Sequence, residues 1–134
     1  MIVTALYAGL LTPLFVLLSI RVIRQRRAVR VGIGHGDDAA LLRRMRVHAN
    51  FSEYVPLALL LMGLLESMGT SRYLLHGLGI ALVIGRVLHA YGVSQAKENL
   101  TLRVAGMTLT FAVLTVAAVA CLLKAFFGLV SFGP

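Results

Sequence analysis

The sequence predicts an all-α protein, a transmembrane four-helix up-down bundle. Two compositional observations and one pattern predict it. Of 134 residues, 59% are hydrophobic and only 13% charged, against about 25% charged in an ordinary soluble domain. Mean hydropathy is +0.89. The apolar residues fall into four runs separated by short polar connections, the pattern of helices that cross a hydrocarbon core of about 20 residues' length. The chain suits a single domain over 1–134, with no internal repeat and no linker.

The net charge of +8 does not read as a nucleic-acid signature. Eight of the thirteen basic residues lie between Arg21 and Arg46, on either side of one short loop. Charge clustered beside an apolar helix reports membrane orientation or capture of an anionic ligand. Cys121 is the single cysteine, so no disulfide framework or cysteine metal site forms within one chain. His35 and His76 are isolated, and no metal-ligand spacing supports them.

The first helix begins in the apolar run Ile2 to Ile20 and continues into RVIRQRRAVR. No basic residue precedes the run, which argues against a signal peptide. Ile23, Arg26, Arg27 and Arg30 share a face over its last two turns. VGIGHGDD, from Val31 to Asp38, is a loop; its glycines follow no strand, so a nucleotide loop is not expected. Asp37 or Asp38 can cap the second helix.

That helix runs from about Ala39 to Glu66. Its purely apolar part, Val55 to Leu65, is too short to cross the core. The span must therefore take in Asn50, Glu53 and Arg46. At 100° per residue, Arg43, Arg46, Asn50, Glu53 and Leu57 form one stripe, with Tyr54 at its edge and His48 pointing away. Two cations, an amide and a carboxylate at membrane depth suit a ligand that carries both carboxylates and an amine. Pro56 is expected to bend the helix.

SMGTSR is a turn. The third helix runs from about Tyr73 to Tyr91, with Gly77, Ala81 and Gly85 at four-residue spacing as a face for close packing. Arg86 and His89 finish it on the same side as the arginine cluster. GVSQAKENLT connects to a fourth span, Val104 to Leu123, with Arg103 at its start, and FFGLVSFGP forms a short apolar end. The positive-inside rule places the arginine-rich side in the cytoplasm and both termini outside it.

RVHANFSEYVP, Arg46 to Pro56, resembles the helix-two signature of the MAPEG family, membrane-associated proteins in eicosanoid and glutathione metabolism. Arginine, asparagine, glutamate and proline stand there at the family's spacing. IRQRRAVRV and GRVLHAYG are similar to the ends of the family's first and third helices, the latter in its bacterial branch. The resemblance spans nearly the whole chain.

It implies a multi-pass protein of the bacterial inner membrane, assembled as a homotrimer. Glutathione, or another low-molecular-weight thiol, would lie between subunits on the cytoplasmic side. Arg46, Asn50, Glu53 and Tyr54 would bind it from helix two, and Arg26, Arg30 and more weakly Arg27 from helix one. Arg103 matches the arginine that activates the thiol, because an adjacent cation favours the thiolate nucleophile. The activity implied is that of a glutathione transferase or peroxidase acting in detoxification on lipophilic electrophiles or lipid hydroperoxides. Membrane lipids would surround it, and no nucleic acid is implied.

The chain departs from the family pattern in two places. No tyrosines stand two turns before Arg103, and Ala49 occupies a position where some catalytic members carry arginine. A non-enzymatic lipid-binding or scaffold protein of the same fold is the alternative. A small transporter is disfavoured, because the broken helices and repeats of that class are absent from the sequence.

Overall fold

A computed structural model of the protein describes residues 1–95 and 97–131. It contains four helices: α1 (Ile2–Val29), α2 (Ala39–Ser67), α3 (Arg72–Ser94) and α4 (Leu100–Ser131). Three of them, α1, α3 and α4, are long and apolar enough to cross a membrane. α2 is as long as α1 but carries the polar stripe, which is why it falls short on apolarity alone. The four alternate in direction, so the C-terminal ends of α1 and α3 and the N-terminal ends of α2 and α4 gather at one end of the bundle.

The ends of α1 and α2 carry most of the arginines, and the loop between them is held by specific chemistry. Asp38 is the N-cap of α2: its carboxylate accepts the Leu41 N–H and a bond from Gln25 Nε2 at 3.1 Å. The Leu41 N–H, then the Gln25 amide, hold this carboxyl below its ordinary range. Arg30 closes α1 in the left-handed conformation at φ 55°, its N–H bonded back to Arg26 and Arg27. Gly34 and Gly36 sit at φ 75° and 54°, which explains the glycine pattern as backbone geometry. At the opposite end, Glu66 accepts the N–H groups of Val3 and Thr4 at 2.9 and 2.8 Å. A carboxylate from the last turn of α2 thus satisfies donors that the first turn of α1 leaves open.

α1 packs on α2 and α3, and α4 packs on the same two helices; α1 and α4 do not touch among the described residues. Leu11, Leu41, Met62, Leu65, Leu75, Leu82, Val113 and Ala117 form the buried core between them. The tightest pairing is α3 against α4. A Cβ on Gly106 would come within 2.6 Å of both the Gly85 carbonyl and the His89 nitrogen, and one on Gly92 within 2.8 Å of the Arg103 nitrogen. These glycines let the two backbones touch.

The expected small-residue face is therefore only partly the packing face. Gly85 lies in the crossing, whereas a side chain on Gly77 would meet nothing within 4 Å. The partners Gly92 and Gly106 were not marked by the four-residue spacing. The fourth helix is also longer than expected, starting at Leu100 and running through the expected tail to Ser131; the last residues of that tail, 132–134, lie outside the described residues. Its early start places Arg103 inside the first turn, where Asn99 Oδ1 accepts the Leu102 N–H at 3.1 Å.

Gly106→Ala should force α3 and α4 apart and cost about 1–3 kcal/mol. Gly77→Ala should shift stability by less than about 1 kcal/mol. Thermal unfolding of both variants in detergent distinguishes the two positions.

Candidate functional site

A cavity of about 230 Å³ opens at the arginine-rich end of the bundle, between α2, α3 and α4. α2 contributes Leu42, Arg43, Arg46 and Asn50; Leu42, Arg46 and Asn50 follow one another by a helical turn and Arg43 precedes Arg46 by three residues, so all four project to one side. α3 contributes His89 and Val93; Glu98 and Arg103 come from the connection and the first turn of α4. Three arginines against one glutamate leave the wall with an excess of positive charge. Arg43 and Arg46 have no hydrogen-bond or ion-pair partner among the described residues. Arg103 donates to Glu98 Oε1 at 2.8 Å.

Beneath this cavity lies a charged side chain that is almost completely enclosed. Arg86 is 1% exposed. Its Nη1 donates to Asn50 Oδ1 at 2.7 Å, and its Nη2 lies 3.4 Å from the Gly106 carbonyl and 3.5 Å from the Met107 sulfur. Its Nε has no hydrogen-bond partner among the described residues. A guanidinium removed from water is costly unless its donors are met by acceptors. Here a side-chain amide from α2 and a backbone carbonyl from α4 meet it, so one residue ties three helices together. Gly106 supplies that carbonyl because it lacks the side chain that would hold α4 away.

Of the residues singled out in the sequence, Arg46, Asn50 and Arg103 line one cavity. Glu53, one turn deeper on α2, does not line it; its side chain is exposed on the outer face of the chain and has no partner among the described residues. Tyr54 packs edge-on against Phe111 of α4, with ring centres 5.4 Å apart. Arg26, Arg27 and Arg30 do not reach the cavity within the chain. Arg26 donates to the Gly32 and Gly34 carbonyls at 3.1 and 2.8 Å and approaches the Met45 sulfur. Arg27 and Arg30 are exposed.

His48 points away as expected. It stacks on Phe15, with centres 5.0 Å apart, and bonds to Ser19 Oγ at 3.1 Å. Cys121 donates to the Leu61 carbonyl in ordinary packing. No cluster of three metal-ligating side chains occurs among the described residues.

Two participants were placed on the correct side by the sequence but not recognised as part of the site. His89 is 6% exposed and lines the cavity without a hydrogen-bond partner among the described residues. Arg86 was not matched to Asn50. The usable signal was depth: Arg86 lies about 20 Å along α3 from its start, so it needed an acceptor at that level, and Asn50 was available on α2.

Four packed helices, three of them long and apolar enough to cross a membrane, around a cavity rich in arginine define a polytopic membrane protein. The chain matches the MAPEG family over residues 4–123 and belongs to it. It is also 40% identical over 90 residues to the inner membrane protein YecN of Escherichia coli K12, covering 67% of this chain and 69% of that protein. The same identity and coverage hold for YecN of Escherichia coli O6:H1. The protein is thus an integral membrane protein of a family associated with glutathione and eicosanoid metabolism.

Asn50→Leu should leave the Arg86 Nη1 without an acceptor and cost about 1.5–3 kcal/mol. Adding Arg86→Met should recover part of that loss, because the stranded charge is then removed. Unfolding of the single and double variants measures the coupling.

Proposed function

We propose that the protein is a membrane-bound transferase or peroxidase that uses glutathione, or a related small thiol, against lipophilic electrophiles or lipid hydroperoxides. The observation that carries this reading is the cavity where Arg43, Arg46, Asn50, His89 and Arg103 converge. Glutathione carries two carboxylates and one ammonium. Free guanidiniums on α2 suit the carboxylates, binding them as planar forks. Arg103, in the first turn of α4, adds its charge to the positive end of the helix dipole. A thiol placed there loses its proton more readily, and the thiolate is the nucleophile. No protein nucleophile is required. Attack on an electrophilic carbon forms a carbon–sulfur bond and either expels that carbon's leaving group as an anion or opens an activated double bond, whose far carbon then takes up a proton. Attack on a hydroperoxide breaks its oxygen–oxygen bond, giving the alcohol and a sulfenic acid, and a second thiol displaces water from the sulfenic acid to form the disulfide.

We read the functional unit as a homotrimer in a bacterial inner membrane, with the cavity toward the cytoplasm and both termini on the far side. Glu53 supports the assembly. An unpartnered carboxylate on an outward face at membrane depth is costly, and a neighbouring subunit would cover it. Arg26, Arg27 and Arg30 would then reach the thiol from the next subunit rather than from within the chain. Tyr54 would complete the ligand contacts from helix two. A route for lipophilic substrate between α1 and α4 likewise requires two subunits, because these helices do not touch within one.

A non-enzymatic lipid-binding role is the second reading. It is favoured by a separate apolar cavity of about 290 Å³ between α1 and α2, lined by Leu11, Phe15, Phe51, Val55 and Pro56. Calorimetry with glutathione separates the two, since the lipid-binding reading expects no heat of binding.

Arg103→Ala should retain glutathione binding but reduce the thiolate absorbance at neutral pH to that of the free thiol, which titrates at about 8.5. A variant that keeps the full thiolate signal removes Arg103 from the chemistry.

A further inference from the structure

The cationic wall of the cavity contains one carboxylate, and it is placed on the arginine assigned to the thiol. Glu98 Oε1 accepts from Arg103 Nη1 at 2.8 Å, and both side chains line the cavity and remain partly open to solvent. The geometry behind this pair is anchored on both sides. The Asn99 N–H donates to the Gly92 carbonyl at 3.0 Å, so the residue after Glu98 is tied to the end of α3. Asn99 also caps α4 through the Leu102 N–H at 3.1 Å, and its carbonyl accepts the Arg103 N–H at 3.1 Å. The absence of a side chain on Gly92 lets the Arg103 backbone approach α3. Glu98 and Arg103 are therefore held at fixed ends of one short segment.

Resting on the reading above, we propose that Glu98 is an internal counter-anion, a specificity-setting residue that occupies Arg103 until an anionic thiol displaces it. Arg43 and Arg46 stand free in the same wall, so the carboxylate is directed to one cation of the three. An anionic ligand must exchange its own bond to Arg103 for the one Glu98 makes. A neutral ligand gains nothing from that exchange, and lipids that offer no anion leave the pair closed. The device selects for charge at the sulfur end of the ligand, and it sets affinity below what the arginines alone would support.

The test is glutathione titration by calorimetry into the full-length protein in detergent, comparing wild type, Glu98→Gln, Arg103→Ala and the double variant. Partly exposed pairs of this kind are worth little, so Glu98→Gln should bind about two- to fivefold more tightly. The gain should vanish in the Arg103→Ala background and shrink at high salt. A purely structural role for Glu98 would weaken binding instead. Weaker binding by Glu98→Gln would also be the result if the carboxylate held the ligand's ammonium, and it overturns the proposal. So does an unchanged affinity, or a gain that persists without Arg103. Absence of binding by both wild type and Glu98→Gln overturns the thiol-site reading and this inference together. Binding by Glu98→Gln alone supports it.

Discussion

A guanidinium inside a helix bundle has to be solvated by the protein itself, and the way Arg86 is solvated organises this molecule. Its strongest bond runs to Asn50 on α2 and its second to the backbone of Gly106 on α4. The three helices that wall the cavity are thereby tied at one level, directly beneath it. Moving any one of them would strand a charge in an apolar interior, a penalty far larger than the loss of an ordinary contact. The position of Asn50 is consequently a structural necessity before it is a binding feature. Arg46, one turn above on the same helix face, inherits its orientation from that constraint.

The close approach of α3 and α4 belongs to the same arrangement. Gly106 can offer its carbonyl to Arg86 only because neither it nor Gly85 carries a side chain at the crossing. Gly92 repeats the device two turns further along α3, and there it fixes where α4 begins. Arg103 is delivered to the cavity mouth by that start. At the other end of the bundle Glu66 satisfies the first turn of α1, so each end has a polar tie across helices.

Much of this was legible in the sequence, for reasons that are physical. Four apolar runs predict four helices, and the shortfall of Val55 to Leu65 forced Arg46, Asn50 and Glu53 into the second span. A 100° step then put Arg43, Arg46 and Asn50 on one face, where the structure also puts them. A cap at Asp37 or Asp38 was recognisable because a carboxylate before a helix has a favourable use, and the structure assigns it to Asp38. Pairings between helices were not legible. Small-residue spacing marked Gly77, which faces open space, and missed Gly92 and Gly106, because spacing along one helix does not tell which neighbour it meets. Nor could it tell that Arg86 would take the Asn50 oxygen. The fourth span was read only to Leu123; beyond it Lys124 Nζ reaches the Met68 carbonyl at 3.0 Å while the helix continues to Ser131. Arg26 and Arg30 share a face by periodicity, yet their loop engages one and caps the helix with the other.

The proposed role of the cationic cavity is to receive a thiol compound with its sulfur at Arg103. The most direct measurement is an experimental structure of the protein in complex with glutathione sulfonate, whose sulfonate stands in for the thiolate. The sulfonate is expected within hydrogen-bonding distance of Arg103, with Glu98 turned away from that guanidinium and the ligand's carboxylates on arginines that include Arg46. A ligand bound elsewhere, or a cavity left with the Glu98–Arg103 pair intact at saturating ligand, would contradict it.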